Sequence, residues 1–317
     1  MRQARRRPAL RFRPDGSFTI VQLTDIHWRN GDAADRRSRA LVEHVLETER
    51  PDLVVLTGDV VEGSEAPDPV AAYREAVTPM ETRGIPWAAV FGNHDDEGRH
   101  TRGQLLQGLQ ACRFGLTSRG PARLTGVGNY VLRVGAAAGR GLSAVLYFLD
   151  SNSYDARGTG HYGWIAHDQI AWYRKTSRRL RRAYRGPAET LPALAFFHIP
   201  LPEYAEAWER VVCRGQRNED VCAPALNSGF FAALVEEGDV LGTFVGHDHV
   251  NDFEGLLHGI RLCYGRATGF SPYGLDGFLR GARVIRLRDG ERAFATWLRL
   301  EDGTVVTEPP EHAPGTP

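Results

Sequence analysis

Five segments of the sequence carry side chains that can bind a metal ion, and each segment directly follows a short apolar run. The segments are Asp25-Ile26-His27, Gly58-Asp59, Gly92-Asn93-His94-Asp95, His198 and Gly246-His247-Asp248-His249. In open α/β sheets, ligands bind beyond the carboxyl ends of the strands. If the apolar runs are strands of such a fold, the five segments converge on one site that is built from distant parts of the chain.

The residue types indicate which ions this site would bind. Two aspartates, one asparagine and four histidines offer oxygen and imidazole ligands without thiolate, which suits Mn, Fe or Zn better than Ca²⁺ or a structural zinc. In His247-x-His249 both imidazoles lie on the same side of an extended segment. A glycine precedes three of the motifs, where a bulkier residue would crowd a turn that carries ligands. Each motif alone is common in turns or cores, and only their combination predicts a metal site.

The apolar spacing predicts the elements that would position the first three segments. Short buried strands are expected at 18–23, 53–56 and 87–91, immediately before those segments. Helical patterns alternate with these strands, at 35–50, 69–83 and 103–111. Alternating strands and helices form βαβ units, so this part of the chain is predicted to contain a largely parallel sheet.

The rest of the chain predicts a second sheet. Neighbouring strands without an intervening helix are expected at 130–134 and 142–149, and further strands at 193–197, 240–245, 259–264, 283–287 and 293–300. Helices are expected at 167–184 and 228–237. We therefore predict an α/β fold with two sheets packed face to face and helices outside, in a single domain. The predicted domain spans 18–300, after a basic N-terminal extension at 1–17 and before a tail at 301–317 that three prolines predict to be disordered.

Composition excludes several classes of protein. Lys+Arg and Asp+Glu are both 39 among 317 residues, so the net charge is zero, which argues against nucleic acid as a stable partner. The Arg-rich stretch at 174–185 is interpreted as a solvated helix face for the same reason. No run of 18 apolar residues occurs and no apolar stretch follows the basic start, so we expect a cytoplasmic protein without a membrane partner. The four cysteines are too few for a disulfide framework, although Cys213 and Cys222 are close enough in sequence to pair.

The combination of motifs resembles the calcineurin-like metallophosphoesterase superfamily, whose pattern is D-x-H, G-D, G-N-H-D/E, H and G-H-x-H. The resemblance covers residues from about 18 to 290. Longer stretches are similar to its purple-acid-phosphatase-like branch; they are 90–98 (VFGNHDDEG), 150–152 (DSN), 162–165 (YGWI), 198–203 (HIPLPE) and 245–253 (VGHDHVNDF). This resemblance implies a two-sheet αββα metallophosphoesterase sandwich with a dinuclear metal centre of Mn, Fe or Zn.

The resemblance also implies a role for each residue of the site. The first ion would be bound by Asp25, His27, Asp59 and His249. The second ion would be bound by Asp59, Asn93, His198 and His247, with Asp59 bridging both. His94 would face the substrate as a catalytic residue, with Asp95 holding its ring. Two residues depart from true purple acid phosphatases, since Glu62 replaces their metal-binding tyrosine and His27 replaces a glycine. We therefore expect no purple colour.

The function expected from this resemblance is hydrolysis of phosphate monoesters by in-line attack of a metal-bound hydroxide. The alternatives are phosphodiester hydrolysis and, less favoured because the ligands and His94 are intact, a non-catalytic metal-binding scaffold. The substrate would be a small or protein-borne phosphate. Arg99, Arg102 and Arg266 are candidate phosphate contacts because guanidinium groups match phosphate oxygens. His161 is a further candidate substrate contact.

Overall fold

The computed structural model describes residues 8–139, 141–186 and 190–315, and the strands and helices occupy most of these ranges. Along the chain the strands are β1 Leu10–Arg11, β2 Ser17–Leu23, β3 Leu53–Thr57, β4 Trp87–Val90, β5 Tyr130–Gly135, β6 Leu142–Phe148, β7 Ala193–Phe196, β8 Cys213–Arg214, β9 Val240–Val245, β10 Glu254–Leu257, β11 Ile260–Tyr264, β12 Gly281–Arg288, β13 Phe294–Leu300, β14 Val305–Val306 and β15 Glu311–His312. The helices are α1 Ala33–Glu49, α2 Pro69–Ala76, α3 Thr78–Arg83, α4 Arg102–Leu109, α5 His167–Ala183, α6 Glu203–Arg210 and α7 Phe230–Glu237.

The strands form two sheets. The first has the order β14-β13-β12-β2-β3-β4, in which β2, β3 and β4 are parallel and β12 runs antiparallel to β2. The second has the order β1-β5-β6-β7-β9-β11-β10-β8-β15, with β6, β7, β9 and β11 parallel. In the first sheet Leu23 pairs with Leu56, and Thr57 pairs with Val90, so the three parallel strands end close to one another. The metal-binding segments that follow them therefore lie at one edge of the sheet.

Three hydrophobic layers show that the two sheets pack face to face. Between the sheets, Ile20 and Val55 of the first pack with Leu194 and Phe244 of the second. The outer face of the first sheet packs on α1, α2 and α4, and that of the second packs on α5, α6 and α7. This arrangement confirms the predicted single-domain sandwich with helices outside.

The helix predicted at 69–83 is two helices in the structure, α2 and α3. Pro79 causes the break, because it has no backbone N–H to donate to residue 75 and its ring crowds that carbonyl group. Val77 lies at the junction with a ψ of −1°. By contrast, α1 is a single helix whose start is fixed by the Asp32 side chain, which accepts a hydrogen bond from the Asp35 N–H.

The predicted domain limits are too narrow. Residues 301–315 are not a disordered tail, because β14 pairs with β13 and β15 pairs with β8. The ring of His312 also stacks on Trp208 at a centroid distance of 3.8 Å. At the other end, β1 pairs with β5, so only residues 1–7 of the predicted N-terminal extension lie outside the described residues, as do residues 316 and 317 of the tail.

Two further expectations can be compared with the structure. All four cysteines are free thiols, so Cys213 and Cys222 do not pair. Within residues 8–139, 141–186 and 190–315, no helix combines the length and apolar character that crossing a membrane would require.

Candidate metal centre

Two groups of three buried side chains lie where the parallel strands end. Asp25, His27 and His249 form one group, and Asp59, His198 and His247 form the other. Within each group, the atoms that could bind an ion lie within 4.8 Å of one another. Each group combines residues that follow strands of the first sheet with residues that follow strands of the second. The structure therefore brings together six of the seven predicted ligands in the two expected sets.

Hydrogen bonds orient two of the histidines so that one ring nitrogen stays available. His198 Nδ1 is 2.7 Å from the carbonyl oxygen of Thr57, and His27 Nδ1 is 2.7 Å from Oε2 of Glu62. Each contact fixes the orientation of the ring through Nδ1 and turns Nε2 toward Asp59, an arrangement that is usual for histidines around protein metal ions. Glu62, at the position where purple acid phosphatases have a tyrosine, thus supports a predicted ligand.

Asp59 lies between the two groups. Its Oδ2 atom is 3.0 Å from His198 Nε2 in one group and 3.8 Å from His27 Nε2 in the other. Its Oδ1 atom accepts a hydrogen bond of 2.8 Å from the backbone N–H of His94. One carboxylate oxygen therefore faces both groups, which is the geometry that a bridging ligand requires.

Several atoms of these side chains are buried without a hydrogen-bond partner among the described residues. They are His27 Nε2, Asn93 Oδ1, His247 Nε2 and His249 Nδ1. Leaving a buried polar atom unsatisfied costs about 1–3 kcal/mol, so such atoms rarely cluster without a reason. A pair of metal ions would satisfy lone pairs of this kind, and the oxygen and imidazole donors suit Mn, Fe or Zn. The residues present therefore fit a dinuclear centre, and Asn93 joins the six residues described above.

Backbone strain is concentrated at the same residues. Asp25, His27, Asp59 and His247 have positive φ angles of 52°, 49°, 47° and 79°. Left-handed backbone costs a residue other than glycine roughly 1–2 kcal/mol, and such strain is typical of functional sites. The fold holds the backbone of these four residues in a conformation that residues other than glycine rarely adopt.

Two glycines next to the ligands allow the turns to pack closely. A Cβ atom on Gly92 would lie 2.1 Å from Asp59 Oδ1, and one on Gly246 would lie 1.9 Å from Thr24 Oγ1. Neither distance is possible between real atoms. The prediction that bulkier residues would crowd these turns is therefore supported by the geometry.

Burial and neighbouring charges shift the pKa of several predicted ligands in opposite directions. Burial alone would raise the pKa of Asp59, but the neighbouring His198 outweighs it and holds the pKa well below the ordinary value of 3.8. Burial alone would lower the pKa of His198, but Asp59 raises it to about 9. Burial lowers the pKa of His247 and His249, and nearby histidines lower it further. These two imidazoles are therefore neutral at pH 7 and have lone pairs to offer.

His94 lies beside the two groups rather than within them. Its Nδ1 is 2.8 Å from Glu97 Oε2 and 3.6 Å from Glu62 Oε1, and the side chain is 32% exposed. Burial opposes the charged form of the ring, but Glu62, Asp59 and Glu97 outweigh it and raise the pKa to about 10. This position is compatible with the predicted role as a residue that faces the substrate.

Asp95 does not hold the ring of His94, so that prediction is wrong. Its carboxylate accepts four backbone hydrogen bonds of 2.8–3.1 Å, from the N–H groups of Asp59, Val60, Val61 and Gly92. The side chain is fully buried by these contacts. Asp95 instead ties the loop after β3 to the loop after β4, and so positions Asp59 indirectly.

Two of the predicted phosphate contacts are also wrong. Arg102 is buried in ion pairs with Asp150 and Asp96, and it donates a hydrogen bond of 2.8 Å to the carbonyl oxygen of Gly92. Arg266 is buried in an ion pair with Asp252. Because both guanidinium groups already have anionic partners inside the protein, neither is available to a substrate. Asp150 lies 48 residues from Arg102, and no periodic pattern in the sequence links either arginine to its partners.

The other two candidate substrate contacts are exposed. Arg99 lies in the loop that follows Glu97, on the surface. His161 is exposed in the loop between β6 and α5, next to Tyr162, whose ring is 4.4 Å from that of His247. His161 therefore lies near the second group of ligands. Contact of either residue with a substrate stays a prediction.

Three residues near the site were not identified as functional from the sequence. Glu62 and Glu97 contact histidines of the site, and the hydroxyl group of Tyr154 lies 3.0 Å from Nδ2 of Asn93. Tyr154 lies in the loop after β6 of the second sheet, whereas Asn93 follows β4 of the first sheet, and no spacing rule links the two. Glu62 could have been found, because a carboxylate three residues after Asp59 occupies a position where related proteins have a ligand.

The profile of the calcineurin-like phosphoesterase family matches residues 18–251. The chain belongs to this family. It is 37% identical to the probable inactive purple acid phosphatase 29 of Arabidopsis thaliana, over 93% of this chain and 85% of the plant protein. It is 33% identical to phosphatase DCR2 of Saccharomyces cerevisiae, over 90% of this chain but only 54% of the yeast protein.

A solved structure has the same fold. The crystal structure of a dimetal phosphatase from Danio rerio matches 88% of this chain and 98% of its own, with a TM-score of 0.53 and 14% identity. At that identity the likeness concerns the fold alone. Together with the family match, it places the two-sheet sandwich described above among metallophosphoesterases, and the family supports a dinuclear metal site.

Proposed function

We propose that this protein is a dinuclear-metal phosphoesterase that hydrolyses phosphate monoesters, with a small phosphorylated molecule or a phosphoprotein as its cytoplasmic substrate. The observation that carries the proposal is the convergence of six buried side chains in two groups, together with buried atoms of His27, Asn93, His247 and His249 that have no hydrogen-bond partner among the described residues. Asp25, His27, Asp59 and His249 would hold the first ion. Asp59, Asn93, His198 and His247 would hold the second.

The bound ions would supply Lewis acidity for the phosphoryl group and a water of lowered pKa. The protein would supply positioning, which is the main protein contribution in phosphoryl transfer. Asp59 would fix the spacing of the two ions because one of its oxygens faces both groups. Glu62 would hold His27 in the tautomer whose Nε2 binds.

His94 would act on the leaving group. Its Nδ1 is held by Glu97, so Nε2 is the atom that can donate a proton to the departing oxygen. General acids of this kind typically contribute about 10²–10⁴ in rate. The partial exposure of the ring leaves it accessible to a substrate that reaches the site from solvent.

Phosphodiester hydrolysis and a non-catalytic scaffold are the two alternatives to monoester hydrolysis. Monoester and diester enzymes of this fold share the core, and the similarity to proteins named as phosphatases favours the monoester. A non-catalytic scaffold is suggested by the word inactive in the name of the plant relative. The complete ligand set and the presence of His94 argue against a scaffold for this chain.

The test uses the purified full chain stripped with a chelator and then supplied with Mn²⁺, Fe²⁺ or Zn²⁺. Elemental analysis should find two ions per chain, and turnover of p-nitrophenyl phosphate should exceed that of bis-p-nitrophenyl phosphate. The Asp59→Asn variant is the control for contaminating phosphatase. Preference for the bis ester would favour the diesterase, and two bound ions without turnover of either ester would favour the scaffold. One ion or none would contradict the dinuclear centre.

A further inference from the structure

Tyr154 lies on a loop between β6 and α5 that is closed on itself. Tyr154 and Tyr162 form an antiparallel bridge, supported by a hydrogen bond of 2.7 Å from the Gly163 N–H to the Ser153 carbonyl oxygen. At the base of the loop, the Asn152 side chain donates a hydrogen bond of 2.7 Å to the Trp164 carbonyl oxygen. These contacts define the position of Tyr154, although 41% of the residue is exposed.

The hydroxyl group of Tyr154 contacts Asn93, a predicted metal ligand that follows strand β4 of the first sheet. It lies 3.0 Å from Nδ2 of Asn93 and accepts a hydrogen bond from that amide group. A side-chain amide has an accepting end and a donating end, and only the oxygen can bind a cation. With Nδ2 held by Tyr154, Oδ1 is the end of the Asn93 amide that could bind an ion, and it is buried without a hydrogen-bond partner among the described residues.

Glu97 determines the direction of this hydrogen bond. The tyrosine hydroxyl could in principle either donate to Asn93 or accept from it. Its proton is taken by Oε1 of Glu97, which makes a close hydrogen bond to it. Because Oε1 of Glu97 accepts the hydroxyl proton, the hydroxyl group must present a lone pair to Asn93. The other carboxylate oxygen of Glu97 is 2.8 Å from Nδ1 of His94.

These contacts form a chain from Asn93 through Tyr154 and Glu97 to His94. We propose that Tyr154 and Glu97 are positioning residues of the metal centre. Tyr154 fixes which end of the Asn93 amide faces the second ion, and Glu97 fixes both the Tyr154 hydroxyl group and the His94 ring. The inference rests on the proposed dinuclear function, and it adds a link between a ligand and the neighbouring residue that would act on the leaving group.

The first test measures ion binding rather than activity. Chelator-stripped protein is titrated with Mn²⁺ by calorimetry, for the unaltered chain and for Tyr154→Phe, Tyr162→Phe and Asn93→Ala. Loss of a group that orients a ligand typically weakens metal binding about 10–100-fold. Tyr154→Phe should weaken the same binding step as Asn93→Ala by about that factor and leave the other step unchanged. Tyr162→Phe is the matched control, because Tyr162 lies on the same loop and its ring contacts His247.

The second test separates the two positioning roles. At Mn²⁺ concentrations that saturate each variant, Tyr154→Phe should regain most of its kcat for p-nitrophenyl phosphate, because only the occupancy of an ion is impaired. Glu97→Ala should stay at least about tenfold slower, since His94 has lost the group that orients its ring. Both substitutions affect partly exposed side chains, and equal thermal unfolding temperatures would show that the variants are folded.

The outcomes distinguish this inference from the proposed function. If the unaltered chain binds fewer than two ions, the proposed function fails. If it binds two and Tyr154→Phe binds both equally well, or if Tyr162→Phe weakens binding as much, the role of Tyr154 is refuted. Full kcat for Glu97→Ala at saturating Mn²⁺ would refute the role of Glu97.

Discussion

Asp59 contacts histidines of both ligand groups. One oxygen faces His198 and His27, and the other is held by the backbone N–H of His94. The Asp59→Asn substitution keeps the shape of the side chain but removes the charge shared by both groups. We expect loss of both ions and of activity, by more than the roughly 10–100-fold typical of residues that only support a ligand.

The comparison for this prediction is Asn93→Ala, which removes one neutral ligand and should weaken only the second ion. Metal content after dialysis, measured for both variants beside the unaltered chain, checks the difference. Retention of two ions and full activity by Asp59→Asn would show that another residue bridges the centre.

Substitution of His94 should impair catalysis without impairing the binding of ions. Its ring lies outside both ligand groups, and its Nδ1 is held by Glu97. We therefore expect His94→Ala to keep two ions and to lose about 10²–10⁴ in kcat, the range for removal of a general acid or charge stabiliser. The loss should be smaller for p-nitrophenyl phosphate than for an alkyl phosphate, whose leaving group needs a proton. Loss of an ion would make His94 a ligand, and an unchanged kcat would exclude a catalytic role.

At the scale of single residues, the sequence predicted the ligands better than their supports. The ligands directly follow buried strands, so a local pattern is enough to find them. Supports depend on contacts between distant segments, such as the ion pair of Arg102 with Asp150, 48 residues apart. For this reason Arg102 was predicted at the surface of the site, and the roles of Glu97 and Tyr154 were not predicted.

At the scale of elements, α5 and α7 are joined by a buried carboxylate. Glu237 is only 3% exposed and forms ion pairs with Arg178 and Arg174. Burial alone would raise the pKa of Glu237, but these two arginines outweigh it and lower the pKa below the ordinary value of 4.5. The prediction of a solvated arginine face on α5 is therefore incomplete, since part of that face holds α7.

The ion pairs of Glu237 predict how the stability of the fold changes with pH. A carboxylate whose pKa is lower in the folded state stabilises the fold above its unfolded pKa, and that contribution disappears as the pH falls through the folded pKa. Glu237→Gln should therefore be less stable than the unaltered chain at pH 7, with a difference that shrinks below about pH 4.5. Urea unfolding between pH 3 and 7 measures this, and Glu236→Gln is the control because the Glu236 side chain is 62% exposed. If the free energies of unfolding of Glu237→Gln and the unaltered chain differ by the same amount at every pH, the prediction is contradicted.

The sequence predicted long and buried elements well and short ones poorly. Strands such as β3 and β9 are continuous apolar runs, and their bounds differ from the prediction by at most one residue. The two-residue strands β8, β14 and β15 have no periodicity of their own, because they are defined only by the strands that they pair with. Two of them, β14 and β15, lie in the tail whose prolines predicted disorder, so that prediction overlooked their pairing.

At the scale of the whole molecule, the candidate metal centre lies where the two sheets meet. His198 and His247 follow strands β7 and β9 of the second sheet, whereas Asp25 and Asp59 follow β2 and β3 of the first. The sequence could predict both sheets and the convergence of strand ends, since these follow from apolar runs. It could not predict that Tyr154 and Arg102 also connect the loops of the two sheets, because such contacts depend on how the finished sheets pack.

Since each ion would bind residues from both sheets, metal binding should stabilise the whole sandwich. The unfolded chain does not hold these ligands together, so binding to the folded state alone adds about 2.7 kcal/mol for each ion present at 100 times its Kd. We expect Mn²⁺ to raise the thermal unfolding temperature of the chelator-stripped chain and EDTA to reverse the rise. Asp59→Asn should show a much smaller rise, whereas His94→Ala should respond like the unaltered chain because its ligands are intact. An unfolding temperature that does not change with Mn²⁺, Fe²⁺ or Zn²⁺ would mean that the two sheets are not joined through bound ions.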